Sequence, residues 1–162
     1  MTSLVRCQRL LVGHGALVLL LGFALGFGFL FFLIGEIALW PIPGRIVYQL
    51  PGTYDAWRMA HMEGVVNGFG LWIVALVLPL VPLSEVLRVR ITWGMVIVAW
   101  TIVLASALDP IFPDARGLAF GKNIPNTIAF FLFYVGILTV IWVVAVIAVK
   151  SLAAARAEGL QD

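Results

Sequence analysis

A chain of 162 residues that is 63% hydrophobic and 11% charged, with a mean hydropathy of +1.11, lies far outside the composition of water-soluble domains and belongs in a bilayer. Its formal net charge of +2 comes from basic and acidic residues scattered along the chain, so no basic patch exists to recruit a nucleic acid. One cysteine, Cys7, excludes a disulfide framework and a thiolate metal cluster.

Crossing the hydrocarbon as a helix takes about 20 apolar residues, and four stretches qualify, at about 10–34, 62–83, 91–108 and 127–149. The sequence therefore predicts an all-α integral membrane bundle of four transmembrane helices, a single domain over residues 1–162. The first stretch follows Arg6 and Arg9, but it is too long for a secretory leader and no small-residue cleavage site follows it, so it stays as a helix. Near its start, His14 lies between two glycines and is suited to bonding a neighbouring helix or the headgroup layer. The connection over residues 35–61 contains "PIPGRIVYQLPGTYDAW", whose Pro41, Pro43, Gly44, Pro51 and Gly52 break any helix and predict turns along the membrane surface. His61 opens the second stretch at the opposite face from His14. The third carries Trp93 and Trp100 on one face at i+7 spacing, placed to line a wall. A second turn-rich connection, "DPIFPDARGLAFGKNIPNT", leads to the fourth. Arg6, Arg9, Arg88, Arg90, Lys150 and Arg156 fall on one side of this four-span path, and Arg45, Arg58, Arg116 and Lys122 on the other. That bias predicts cytoplasmic termini.

Ionisable groups in or beside a span are costly, which makes each a functional candidate. On a helix, Gly64 and Gly68 share a face with His61 at i+3 and i+7, leaving a strip without side chains beside the imidazole. A flat macrocycle can lie on such a strip; equally, two small residues at this spacing let a second helix approach closely. Arg58, one turn earlier, is placed to pair with a haem propionate or to reach the headgroups. Glu63 reads as interfacial and solvated. Asn67, deeper in the span, needs hydrogen bonds from a neighbouring helix or a substrate. His14 and His61 enter from opposite faces of the bilayer, on the order of 20 Å apart, and cannot clamp one iron within a subunit. A haem held by His61 alone, with an open sixth position, fits better than a bis-histidine electron carrier, and zinc lacks a converging ligand set.

The segment "AHMEGVVNG", the "GHG" at 13–15, the "PG" at 51–52, Pro79 in "VLPL", Trp100 and the "RGLAFG" at 116–121 together resemble the styrene oxide isomerase family, in the same order and with similar spacing over nearly the whole chain. The resemblance implies a homotrimer in the bacterial inner membrane that binds haem b, with ferric iron acting as a Lewis acid on a small hydrophobic aryl epoxide to give an aldehyde. It puts His61 at the family's axial histidine and Asn67 at an asparagine of the substrate pocket. The expected cofactor contacts are then His61, Gly64, Gly68 and Arg58, and the expected catalytic groups Asn67 and Ser106. The chain departs from the family on the third span. With Trp100 matched, an aspartate and a tyrosine of the pocket become Val98 and Ser106, or Ala99 and Ala107 if one residue is gapped before "RGLAFG". Neither choice restores a carboxylate or a phenol, and Asp109, one turn beyond Ser106, stands as a substitute or as a helix-end residue. Two other readings stay open: a haem protein of the same mould without the activity, and a small bundle without cofactor.

Overall fold

The computed structural model describes residues 3–158. Four long helices, α1 (Ser3–Ile34), α2 (Tyr54–Val77), α3 (Glu85–Leu108) and α4 (Ile124–Glu158), make up most of the chain, and all four belong to segments long and apolar enough to cross a membrane. The chain is thus a multi-pass, all-α membrane bundle, and the one sheet among the described residues is a two-residue antiparallel pair, β1 (Glu36–Ile37) with β2 (Ile46–Val47).

α2, α3 and α4 start earlier than their apolar stretches, because each begins at a polar cap. Thr53 Oγ1 accepts from the Ala56 amide at 3.2 Å and starts α2 well before the hydrophobic run. His61 therefore sits seven residues into α2, two turns deep, rather than at the mouth of the segment. The stretch expected as one span over 62–83 breaks early for the converse reason. Pro79 tightens Leu78–Leu80 into a 3₁₀ turn, Pro82 follows, and Ser84 then caps α3 by accepting from the Leu87 amide at 3.4 Å. The turn-rich connection after α1 is as expected except for its short hairpin, which carries an ion pair between Arg45 and Glu36 at 3.4 Å.

Small residues draw α1 and α2 together. A Cβ added to Gly64 would land on the Cα of Gly22 and 3.0 Å from its amide nitrogen, and one added to Gly68 would come 2.5 Å from Leu19 Cγ and 3.1 Å from the Gly15 carbonyl. Around this seam Leu11, Val18, Leu71, Ile91 and Val103 are fully buried. α4 packs mainly against α3, where Gly136 admits Thr101 and Ile102. Large apolar side chains such as Leu20, Phe23, Phe27, Ile137, Leu138, Ile141 and Val144 point outward, as lipid-facing helices require.

Candidate functional site

His61 presses its ring against α1. Its Nδ1 lies 2.9 Å from the Gly22 carbonyl oxygen. A carbonyl only accepts, so Nδ1 carries the proton and, in the neutral ring, Nε2 offers its lone pair. Metal-ligating histidines are held in this way, with the second ring nitrogen donating to a carbonyl or carboxylate that fixes tautomer and orientation. The ring is half-buried, and the same notch is completed by Gly26.

The glycine strip expected to hold a macrocycle is not open. Gly64 and Gly68 both face α1 and are buried in the seam with Gly22, Leu19 and Gly15, so neither contacts a planar ligand in this arrangement. Arg58, by contrast, is weakly engaged: its side chain is 60% exposed and its guanidinium lies 3.7 Å from the carboxylate of Asp55, whose side chain is 70% exposed, a pairing of little strength. With Met59, Met62, Glu63 and Val66 it borders a shallow groove of about 260 Å³ on the exposed face of α2.

Asn67 and Glu63 revise the expectation for both residues. The Asn67 amide nitrogen donates to the Glu63 backbone carbonyl and to its carboxylate Oε2, each at 2.9 Å. Glu63 is half-buried inside α2 rather than solvated at its end. Successive helix residues turn about 100°, so Asn67 leaves α2 about 120° away from His61. The stripe of Ala60, Gly64, Gly68 and Leu71 that packs inside the bundle runs between them. The structure thus does not bring His61 and Asn67 to one side of the chain.

Ser106 is 2% exposed, and its hydroxyl has no hydrogen-bond partner among the described residues. A buried orphan hydroxyl costs about 1–3 kcal/mol, and its burial sets it apart from any open surface. Val98 and Ala99 are buried as well, and Ala107 half-buried. Asp109 lies beyond the helix, where burial raises its pKa and the nearby Arg116 offsets part of the rise. It lines a cavity of about 510 Å³ at the connection end of the bundle, along with Ala56, Pro110, Arg116, Lys122 and Asn126. The "PG" motif belongs to the same region: Gly52 adopts φ +95 and backs directly onto Pro110, leaving no room for a Cβ.

His14 sits elsewhere. Trp100 Nε1 donates to its Nδ1 at 3.2 Å, and the Trp93 ring meets it edge-on at 6.0 Å. The two tryptophans therefore bracket His14 against α1 instead of walling a pocket at His61. His14 precedes Gly22 by eight residues, about 12 Å along α1, so the two histidines stand too far apart along the bundle for one metal to join them.

Sequence reasoning missed Asn126. It is 3% exposed; its Oδ1 accepts from the Gly117 amide at 2.8 Å, and its Nδ2 donates to the carbonyls of Ala119 and Gly121 at 2.8 and 2.7 Å. The "RGLAFG" loop is wound round this one amide. The signal was present in "NIPN": Asn123 Oδ1 accepts from the Asn126 amide at 2.7 Å as the cap of α4, with Pro125 in the first turn. Replacing Asn126 with alanine should cost about 3 kcal/mol, roughly 1 kcal/mol per bond. Thermal unfolding in detergent measures it, and a midpoint equal to wild type would show that the loop does not depend on this side chain.

The family model described as styrene oxide isomerase matches residues 7–152. A relative from Pseudomonas fluorescens, named styrene-oxide isomerase, is 29% identical over 117 residues, which cover 72% of this chain and 68% of the relative. The match runs through all four helices and takes in the His61 notch, the Asn67 pair and the loop around Asn126, and the chain belongs to the styrene oxide isomerase family.

Proposed function

We propose that this protein is a haem b dependent isomerase that converts a small aryl epoxide to an aldehyde, and that it works as a homotrimer in the bacterial inner membrane with both termini cytoplasmic. Family membership supports epoxide isomerase activity. The observation that carries the haem reading is the bond from His61 Nδ1 to the Gly22 carbonyl, which leaves Nε2 as a metal-seeking nitrogen with its orientation already fixed. Arg58, one turn away with a weakly engaged guanidinium, suits a propionate. The bias of basic residues supports the orientation.

When bound, a ferric haem would supply Lewis acidity toward the epoxide oxygen. His61 would hold the iron through Nε2, and the Gly22 carbonyl holds His61. The epoxide brings its own ring strain: its C–O bond opens toward the benzylic carbon, and a 1,2-hydride shift forms the carbonyl without change of formula, so no redox partner is consumed. Apolar walls keep out water, which would trap the cation as a diol. Asn67 is committed to Glu63, so its N–H groups donate to an oxygen on a substrate only after leaving that carboxylate. Because His61 and Asn67 leave α2 on opposite flanks, a trimer that seats one copy's His61 flank against the next copy's Asn67 flank gives both to one pocket.

The test is a panel of aryl and alkenyl epoxides offered to haem-loaded protein, oxidised and dithionite-reduced, with aldehyde followed directly. Ferric protein is expected to form aldehyde and reduced protein to do so more slowly, since Fe(III) is the stronger Lewis acid. Equal rates would sink the mechanism. No aldehyde from any substrate would hand the chain to the alternative of a haem protein without isomerase activity.

A further inference from the structure

We propose that Gly26 is a positioning residue for His61: its missing side chain opens the notch through which the imidazole reaches the Gly22 carbonyl, and that bond selects Nε2 as the nitrogen presented to a metal. Only the last clause rests on the haem reading; the notch and the bond belong to the chain itself.

Within α1 the Gly22 carbonyl bonds the amide four residues on, which is that of Gly26, and keeps a second lone pair for another donor. A side chain at position 26 lies over this lone pair. A Cβ built there would stand 2.8 Å from His61 Nδ1, 2.9 Å from Cε1 and 3.5 Å from Cγ. All three are side-chain atoms of His61, so the imidazole gives way and the backbones stay in place. Gly22 is different. A Cβ there meets the Gly64 carbonyl carbon at 2.8 Å and its Cα at 3.0 Å, both backbone, so a substitution would part the helices and confound orientation with folding. Gly13, with nothing within 4 Å of a built Cβ, serves as control on the same helix.

Gly26→Ala thus separates presentation of the ring from assembly of the bundle. Helix propensity favours alanine, so its thermal midpoint should match or exceed that of wild type, as should that of Gly13→Ala. In the metal-free protein, ¹⁵N NMR of labelled histidine should find His61 as the Nδ1–H tautomer in wild type and Gly13→Ala, and as a mixture in Gly26→Ala. Titrated with haem, Gly26→Ala should bind about 10- to 100-fold more weakly, with the iron–histidine stretch of the ferrous form shifted down as the Nδ1 hydrogen bond is lost. An unchanged tautomer together with unchanged haem affinity overturns the proposal. So does a lowered midpoint with the tautomer retained, which would make Gly26 a packing residue only. If wild type takes up no haem, the functional reading fails while the tautomer measurement still decides the role of Gly26.

Discussion

Replacing His61 with alanine is expected to yield a folded bundle that takes up no haem and forms no aldehyde. The fold should survive because the side chain is half-buried and makes one hydrogen bond, worth about 1 kcal/mol, and because the Gly22 carbonyl it leaves behind keeps its helical partner. Losses beyond a ligand's own contacts already reach about 100-fold when only its supporting partner is removed, so deleting the ligand should exceed that. The Soret absorbance per protein reads the cofactor, and aldehyde production reads the reaction. His14→Ala is the matched control: it gives up the bond from Trp100 on the other half of α1 and should keep both signals. Loss of haem from His14→Ala with haem retained by His61→Ala would refute the assignment.

The second large effect is expected at Gly64. Its α-carbon side faces Gly22 with backbone atoms on both helices, so a methyl group there has no flexible neighbour to displace. α1 and α2 must move apart, and overpacking of this kind costs about 1–3 kcal/mol, against which alanine returns at most about 1 kcal/mol of helix propensity. Gly64→Val, larger and without that compensation, should be worse. Because the same separation withdraws the Gly22 carbonyl from His61, haem affinity should fall together with the thermal midpoint. Gly70→Ala, on the same helix with nothing within 4 Å, should keep the haem affinity and match or slightly raise the midpoint. A Gly64→Ala protein as stable as wild type would mean that this contact does not hold the helices.

What the sequence disclosed, and what it hid, divides along a physical line. Apolar length announces a membrane helix, so the four spans were legible. Their true starts depend on Thr53, Ser84 and Asn123, polar caps that a count of hydrophobic residues passes over. His61 stood out because a histidine beside a span is expensive. The use of Gly64 and Gly68 did not, since a bare strip serves a cofactor and a helix equally well, and only the arrival of α1 decides between them. Glu63 and Asn67 stand four apart, a spacing at which helical side chains meet, and their pairing was available from that spacing alone. Asn126 was hidden for a different reason: its three partners are backbone groups of a loop, and backbone has no letter in a sequence.

The acceptor for His61 belongs to another helix. An α2 inserted in the bilayer by itself lacks the acceptor that favours the Nδ1–H form of its imidazole, since that atom lies on α1. The choice is made when the two helices dock. The orientation of the histidine is therefore a property of the docked pair of helices, and α2 alone does not carry it.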